Sequence, residues 1–141
     1  MSRRKAREIA VQTLFHLDFN HTEMEEAFAA ILAERNDHRL SDGARQYAHS
    51  LVCGIQRHQH DIDAIISRLS SDWKIDRMAA VDRNIARLAI FEMKFAEDQL
   101  IPNVAINEAV DLAKIFGTED SSRFLNGILG TLVKESQQAA P

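Results

Sequence analysis

Apolar residues recur at intervals of three and four along nearly the whole chain, and two prolines and five glycines are all that punctuate it. That pattern predicts an almost wholly helical protein. A first helix is expected from about Arg3 to Phe19. At about 100° per residue, Ala6, Ile9, Ala10, Thr13, Leu14 and Leu17 share one broad core face, while Arg4, Arg7, Val11 and Phe15 fall on a separate strip. Thr22 and Glu25 have capping-box spacing for a second helix ending near Arg35. The polar stretch from Asn36 to Gly43 reads as a loop with Ser41 or Asp42 as the next cap. A long helical segment from Ala44 to Leu69 follows, with a break expected near His58 to His60, and Ser70 to Asp72 end it.

Trp73 and Ile75 are expected to fold back on the core. From Met78 to about Phe95 the apolar residues cover more than half the helix circumference, so this helix should be central. Pro102 suits a first turn, and Val104 to Phe116 is apolar except for the strip Asn107, Glu108, Asp111 and Lys114. Gly117 supplies a stop, after which Asp120 or Ser121 caps a last helix that buries Phe124, Leu125, Ile128, Leu129, Leu132 and Val133. Gly127 and Gly130 would permit close backbone approach, and the end frays from about Ser136. The reading is therefore one all-α domain over residues 1–141, without repeats or a domain-sized linker.

Composition sharpens this picture in a few places. The chain has 141 residues, 45% hydrophobic and 27% charged, which suits one folded domain with a real core. Its one cysteine, Cys53, has no internal disulfide partner and reads as a small buried apolar residue. No apolar run approaches a membrane span or a signal peptide, which points to a cytoplasmic protein. Charge is unevenly placed: the first seven residues hold four of 17 basic side chains and no acid, leaving 13 basic against 21 acidic side chains in the rest. Such a block is either a polyanion contact or a solvated helix start.

No constellation for catalysis is present. His58 and His60 are not at the i, i+4 spacing that puts two imidazoles on one helix face, and no glycine-rich phosphate loop or nucleophile elbow occurs. The acidic pairs Glu25-Glu26 and Glu119-Asp120 read as helix-start charges. Asn107, Glu108 and Asn126 are expected to close buried hydrogen bonds between helices, and Arg87 and Glu92 suit a structural ion pair. The expected protein is not an enzyme and carries no metal or cofactor.

Three segments are more specific than amphipathic patterning. They are Arg3-Arg-Lys-Ala-Arg-Glu-Ile-Ala-Val-Gln-Thr-Leu-Phe15, then Val81-Asp-Arg-Asn-Ile-Ala-Arg-Leu-Ala-Ile-Phe-Glu92, and Ile101-Pro-Asn-Val-Ala-Ile-Asn-Glu-Ala-Val-Asp-Leu-Ala-Lys-Ile-Phe-Gly117 continuing through Phe-Leu-Asn-Gly to Leu129. Together they resemble the NusB family of bacterial transcription antitermination factors over almost the whole chain. The resemblance implies about seven helices in two packed three-helix units. It also implies binding to single-stranded boxA-type leader RNA of ribosomal RNA operons, together with the small-subunit ribosomal protein called NusE and the RNA polymerase antitermination assembly.

By position, the resemblance makes Arg3, Arg4, Lys5 and Arg7, then Phe15, and the turn around Asp120, Ser121, Arg123 and Phe124 the RNA-facing residues. Asp76 and Asp82 would face the ribosomal protein. Many relatives carry tyrosine where Phe15 stands, so a stacking face is kept and a hydroxyl is lost. Cations hold phosphates, an exposed ring stacks on an unpaired base, and a carboxylate accepts from base edges. Asp120 serves equally as a plain helix cap, and Phe15 and Phe124 are either exposed or core. Two rival readings stand beside this one. One is a helical interaction module or homodimer with incidental RNA binding; the other is the RNA-targeting domain of a ribosomal RNA cytosine methyltransferase, which lacks its methyl-donor-binding sheet here.

Overall fold

The computed structural model describes residues 2–70 and 75–139. Among them are seven α-helices and no strand: α1 (Arg3–Phe19), α2 (Met24–Arg35), α3 (Asp42–Arg57), α4 (Gln59–Leu69), α5 (Ala80–Ile90), α6 (Pro102–Phe116) and α7 (Glu119–Ala139). A 3₁₀ turn at Ile75–Arg77 precedes α5, and α5 runs on into a single π-turn at Phe91–Phe95. Trp73, expected to pack on the core, lies outside the described residues.

Helix limits follow local chemistry where a side chain supplies it. Ser2 and Ser41 cap α1 and α3 by accepting the backbone N–H of Lys5 and Ala44. Pro102 opens α6 and Gly117 closes it. The break in the long central segment falls at His58. At α2 the expected capping box is not made. The helix begins a residue later, with Glu23 at the cap, and Glu25 pairs with His49 of α3 instead. A tertiary partner has taken the place of the local bond, and the Thr22 hydroxyl is left buried without a hydrogen-bond partner among the described residues.

The helices enclose two adjoining cores. In the smaller, Ala6, Ile9, Phe28, Ile31 and Ala48 join α1, α2 and α3. In the larger, α1 and α3 contribute a second face, including Val11, Leu14, Leu51 and Ile55, against α4 to α7. Because α1 is sandwiched between both, its buried surface is wider than one face of a wheel, and Val11 is core rather than part of an exposed strip. Helix α5 is central as expected, with Asn84 to Ile90 all buried. At Gly54 a Cβ would lie 2.3 Å from Phe91 Cζ, so the residue's lack of a side chain lets the π-turn ring pack against α3.

Several expectations are corrected by packing. Gly127 and Gly130 meet nothing within 4 Å of a built Cβ, so they mediate no close helix approach. Asn107 and Asn126 are exposed rather than bonded between helices. Arg87 and Glu92 are each ion-paired, but with Asp63 and Arg7 respectively and not with one another. Cys53 is only partly buried and contacts His49. The last helix continues to Ala139 past the expected fraying point, held near its end by Lys94 to Ser136 and Arg68 to Glu135.

Candidate nucleic-acid interface

Acidic side chains of α6 reach the basic start of α1. Arg4 donates from Nε and Nη2 to Glu108 at 3.3 and 3.1 Å, and from Nη2 to Asp111 at 2.7 Å. These two carboxylates, the Glu108 hydrogen bond foremost, hold the Arg4 guanidinium above its ordinary pKa. Lys5 pairs with Asp37 at 2.9 Å, and that bond, with the Arg39 N–H, holds the Asp37 carboxyl below the usual carboxylate range. Arg3 is exposed, its guanidinium carbon 4.8 Å from the centroid of the Tyr47 ring in a cation–π contact. Among the described residues it has no carboxylate partner.

Arg7 is placed differently from the reading that aims it at RNA. It is 5% exposed and forms a fork with Glu92, Nε to Oε1 at 2.7 Å and Nη2 to Oε2 at 3.0 Å. Burial works against its charge, and the Glu92 hydrogen bonds and charge outweigh that cost, so its pKa is raised. Tyr47 completes the cluster by donating its hydroxyl to Glu92 Oε2 at 2.6 Å. With its N–H groups committed inside the protein, Arg7 holds α1 to the π-turn and presents no charge to a phosphate in this arrangement.

The far end of α1 carries exposed rings. Phe15 is 39% exposed and Phe19 66%, with centroids 4.8 Å apart and planes tilted at 52°. They border a groove of about 420 Å³ whose floor includes Val11, Ile31, Val81 and Phe116. Gln12, His16, Asn20 and Glu34 add polar edges. The alternative of a core Phe15 is thereby settled for exposure. Phe124, by contrast, is half-buried against the larger core.

The start of α7 follows Phe116 directly. Asp120 is fully open, 3.9 Å from the equally open Arg123 one turn on. Neither Asp120 nor Ser121 is the cap. Both lie inside the first turn of α7, and Ser121 is buried, accepting the Thr118 N–H at 3.0 Å. Phe116 in the groove with Phe15, and Glu108 and Asp111 on Arg4, bring side chains of α6 to both ends of α1.

Of the residues assigned to a protein partner, Asp82 lies in the first turn of α5 with Oδ1 buried and without a hydrogen-bond partner among the described residues. The backbone of Asp76 belongs to the 3₁₀ turn, and its side chain lies outside the described residues. Sequence reasoning missed Phe19 as the second exposed ring, although its i, i+4 spacing from Phe15 was the signal. Glu108, expected to bond between helices, does so with Arg4 at a half-exposed site, whereas Asp111, three residues on, was missed as the second acid that meets Arg4. Among the described residues no group of three or more His, Cys, Asp or Glu is arranged to hold a metal, and no helix is long and apolar enough to cross a membrane.

Comparison with known proteins gives this surface a context. Over its full length the chain is 46% identical across 142 residues to the transcription antitermination protein NusB of Desulforamulus reducens, covering 96% of that protein. Among solved structures, NusB of T. maritima is 35% identical, with a TM-score of 0.85 over 96% of this chain and 92% of that one. A structure of antitermination factors NusB and NusE in complex with dsRNA shares 31% identity and a TM-score of 0.81, over 94% of this chain and 96% of that one. The NusB family model matches residues 4–134, a span that takes in both cores, and the chain belongs to the NusB family.

Proposed function

We propose that this protein is a transcription antitermination factor. It binds single-stranded boxA-type leader RNA of ribosomal RNA operons with the small-subunit ribosomal protein acting as NusE, in the cytoplasm and within the RNA polymerase antitermination assembly. It does so by recognition, without catalysis or cofactor. The observation that carries this reading is the surface of α1 itself. It carries a cationic start and an exposed Phe15, on a chain whose family includes a member solved with NusE and RNA. Arg3, Arg4 and Lys5 take phosphates, the last two by exchanging a carboxylate for a phosphate oxygen. Phe15 stacks on an unpaired base, and Asp120 with Arg123 is open to base edges.

The acidic body opposes RNA, so the free protein binds leader RNA modestly. A basic ribosomal protein docking near Asp76 and Asp82 covers repelling charge and adds phosphate contacts. The test is a closed cycle of calorimetric titrations of protein, ribosomal protein and leader RNA at one salt concentration. A coupling of about 1–3 kcal/mol is expected, equal for both orders of addition. Equal RNA affinities with and without the ribosomal protein would overturn the cooperative reading. The neighbouring complex contains double-stranded RNA, so the same sequence is also titrated as a duplex; a stacking Phe15 requires the single strand to bind more tightly. Sedimentation adds the last arm, since a dimer indifferent to RNA would favour a self-associating module.

A further inference from the structure

A second cavity, of about 390 Å³, opens between α3 and the π-turn, on the side of α1 marked by Arg3. Its volume falls in the range of small-ligand sites, about 300–1,000 Å³. Arg3 and Arg57 are among its lining residues. Neither has a carboxylate partner among the described residues, although nearly every other guanidinium there, from Arg4 to Arg123, is ion-paired. Glu97 and Asp98 line it too, both exposed and likewise without an ion-pair partner among the described residues. Its walls include rings: Tyr47 beneath the Arg3 guanidinium, and His58 stacked on Phe95 at 4.9 Å and 30°. Two cations and two anions, none ion-paired among the described residues, thus share one lining with three aromatic rings.

A ligand that satisfies this lining carries an anion, a flat ring and hydrogen-bond donors. A nucleotide whose base bears an exocyclic amino group has that shape. Arg3 ties the cavity to the basic start of α1, so a strand whose phosphates lie on that start reaches the cavity without a break.

We propose that this cavity is a subsite for one nucleotide of the bound RNA: Arg3 and Arg57 take its phosphate, the ring walls its base, and Glu97 and Asp98 its amino group. The proposal rests on the RNA-binding function above. It makes the site selective for cytosine or adenine over uracil, because uracil offers a carbonyl where the acids need a donor.

The probes are single-stranded cytidine and uridine decamers, measured by fluorescence anisotropy over a salt series. The wild-type protein is expected to bind the cytidine decamer about ten-fold more tightly, as one added donor to a charged acceptor gives. Arg57→Gln should flatten the log–log salt slope by about 0.7, and Glu97→Ala with Asp98→Ala should bring the cytidine-to-uridine ratio close to one. All three side chains are exposed, so these variants keep the fold, which thermal melts check. Cys53 lines the same cavity and is the chain's one cysteine. Its alkylation should be slowed several-fold by the cytidine decamer and less by the uridine decamer. Equal affinities for the two decamers, an unchanged slope in Arg57→Gln or unprotected Cys53, with binding still lost in Arg4→Ala, would overturn the subsite and leave the RNA-binding function standing. Failure of both decamers to bind at any salt would overturn both.

Discussion

The two ends of α1 present opposite cases. At its start, three of the four basic side chains already have carboxylate partners within the protein: Arg4 on α6, Lys5 on the loop before α3, and Arg7 inside the π-turn. At its end, Phe15 and Phe19 are exposed beside an open groove. A count of charges therefore overstates what the start offers a phosphate, because each paired cation must exchange one oxygen for another. The aromatic end has no such exchange to make. Stacking energy there adds to binding directly, whereas the electrostatic gain at the start is a difference between two pairings.

Removing the one fully internal pair breaks the comparison most severely. Glu92→Ala leaves the buried Arg7 charge only the longer contact with Glu108 at 3.5 Å and strands the Tyr47 hydroxyl, and a loss of about 3–5 kcal/mol of stability is expected, read from the urea unfolding midpoint. Arg7→Ala should fall in the same range, since it leaves Glu92 as an uncompensated buried carboxylate. An unshifted midpoint together with weakened RNA binding would return Arg7 to the RNA surface.

At the aromatic end the balance is reversed. Phe15→Ala should cost about 1–3 kcal/mol of RNA binding through a lost stacked base and less stability than the roughly 3–5 kcal/mol of a buried phenylalanine. Melts run beside RNA titrations separate the two. A large fall in melting temperature with RNA affinity kept would show that the ring serves the core.

A smaller effect tests exchange at the start. Glu108→Gln with Asp111→Asn frees Arg4, and RNA affinity should rise by about 0.2–1 kcal/mol, the range of an exposed ion pair. Adding Arg4→Ala to that background should abolish the gain and flatten the salt slope by about 0.7. A gain that survives Arg4→Ala would mean that the two acids act only by repelling RNA at long range.

The finest test concerns pH. Burial, and then the Glu92 hydrogen bond and charge, push the Tyr47 phenol up to about 12 from its ordinary value of 10.0. The unfolded chain releases that proton first, so the folded state binds more protons in between. The stabilisation is complete below about pH 10 and is lost as pH rises towards about 12. Stability measured across that window should decline less steeply in Tyr47→Phe than in the wild type. Parallel declines would remove Tyr47 from the linkage.

Much of the fold was legible because helix periodicity is local. The limits of α1, the break at His58, the capping by Ser41 and the central burial of α5 all follow from residues within a turn or two of one another. The expectation for α2 failed where a distant group intervened, since Glu25 is within reach of Thr22 in sequence and of His49 in space. Phe15 was placed correctly off the core face, whereas Val11 on the same strip is buried. A wheel knows one interface per helix, and α1 has two.

The candidate site divides in the same way. The sequence by itself determined the helical class, the family, the clustering of positive charge at the start and the identity of the ring two to three turns later. These are properties of composition, order and short-range spacing. Only the tertiary structure decided which cations are free. Arg7 is 85 residues from Glu92 and Arg4 is 104 from Glu108. Coulomb attraction at 3 Å depends on where helices pack and not on how far apart their residues lie along the chain, so a charged side chain's availability is settled only when the last helix is in place.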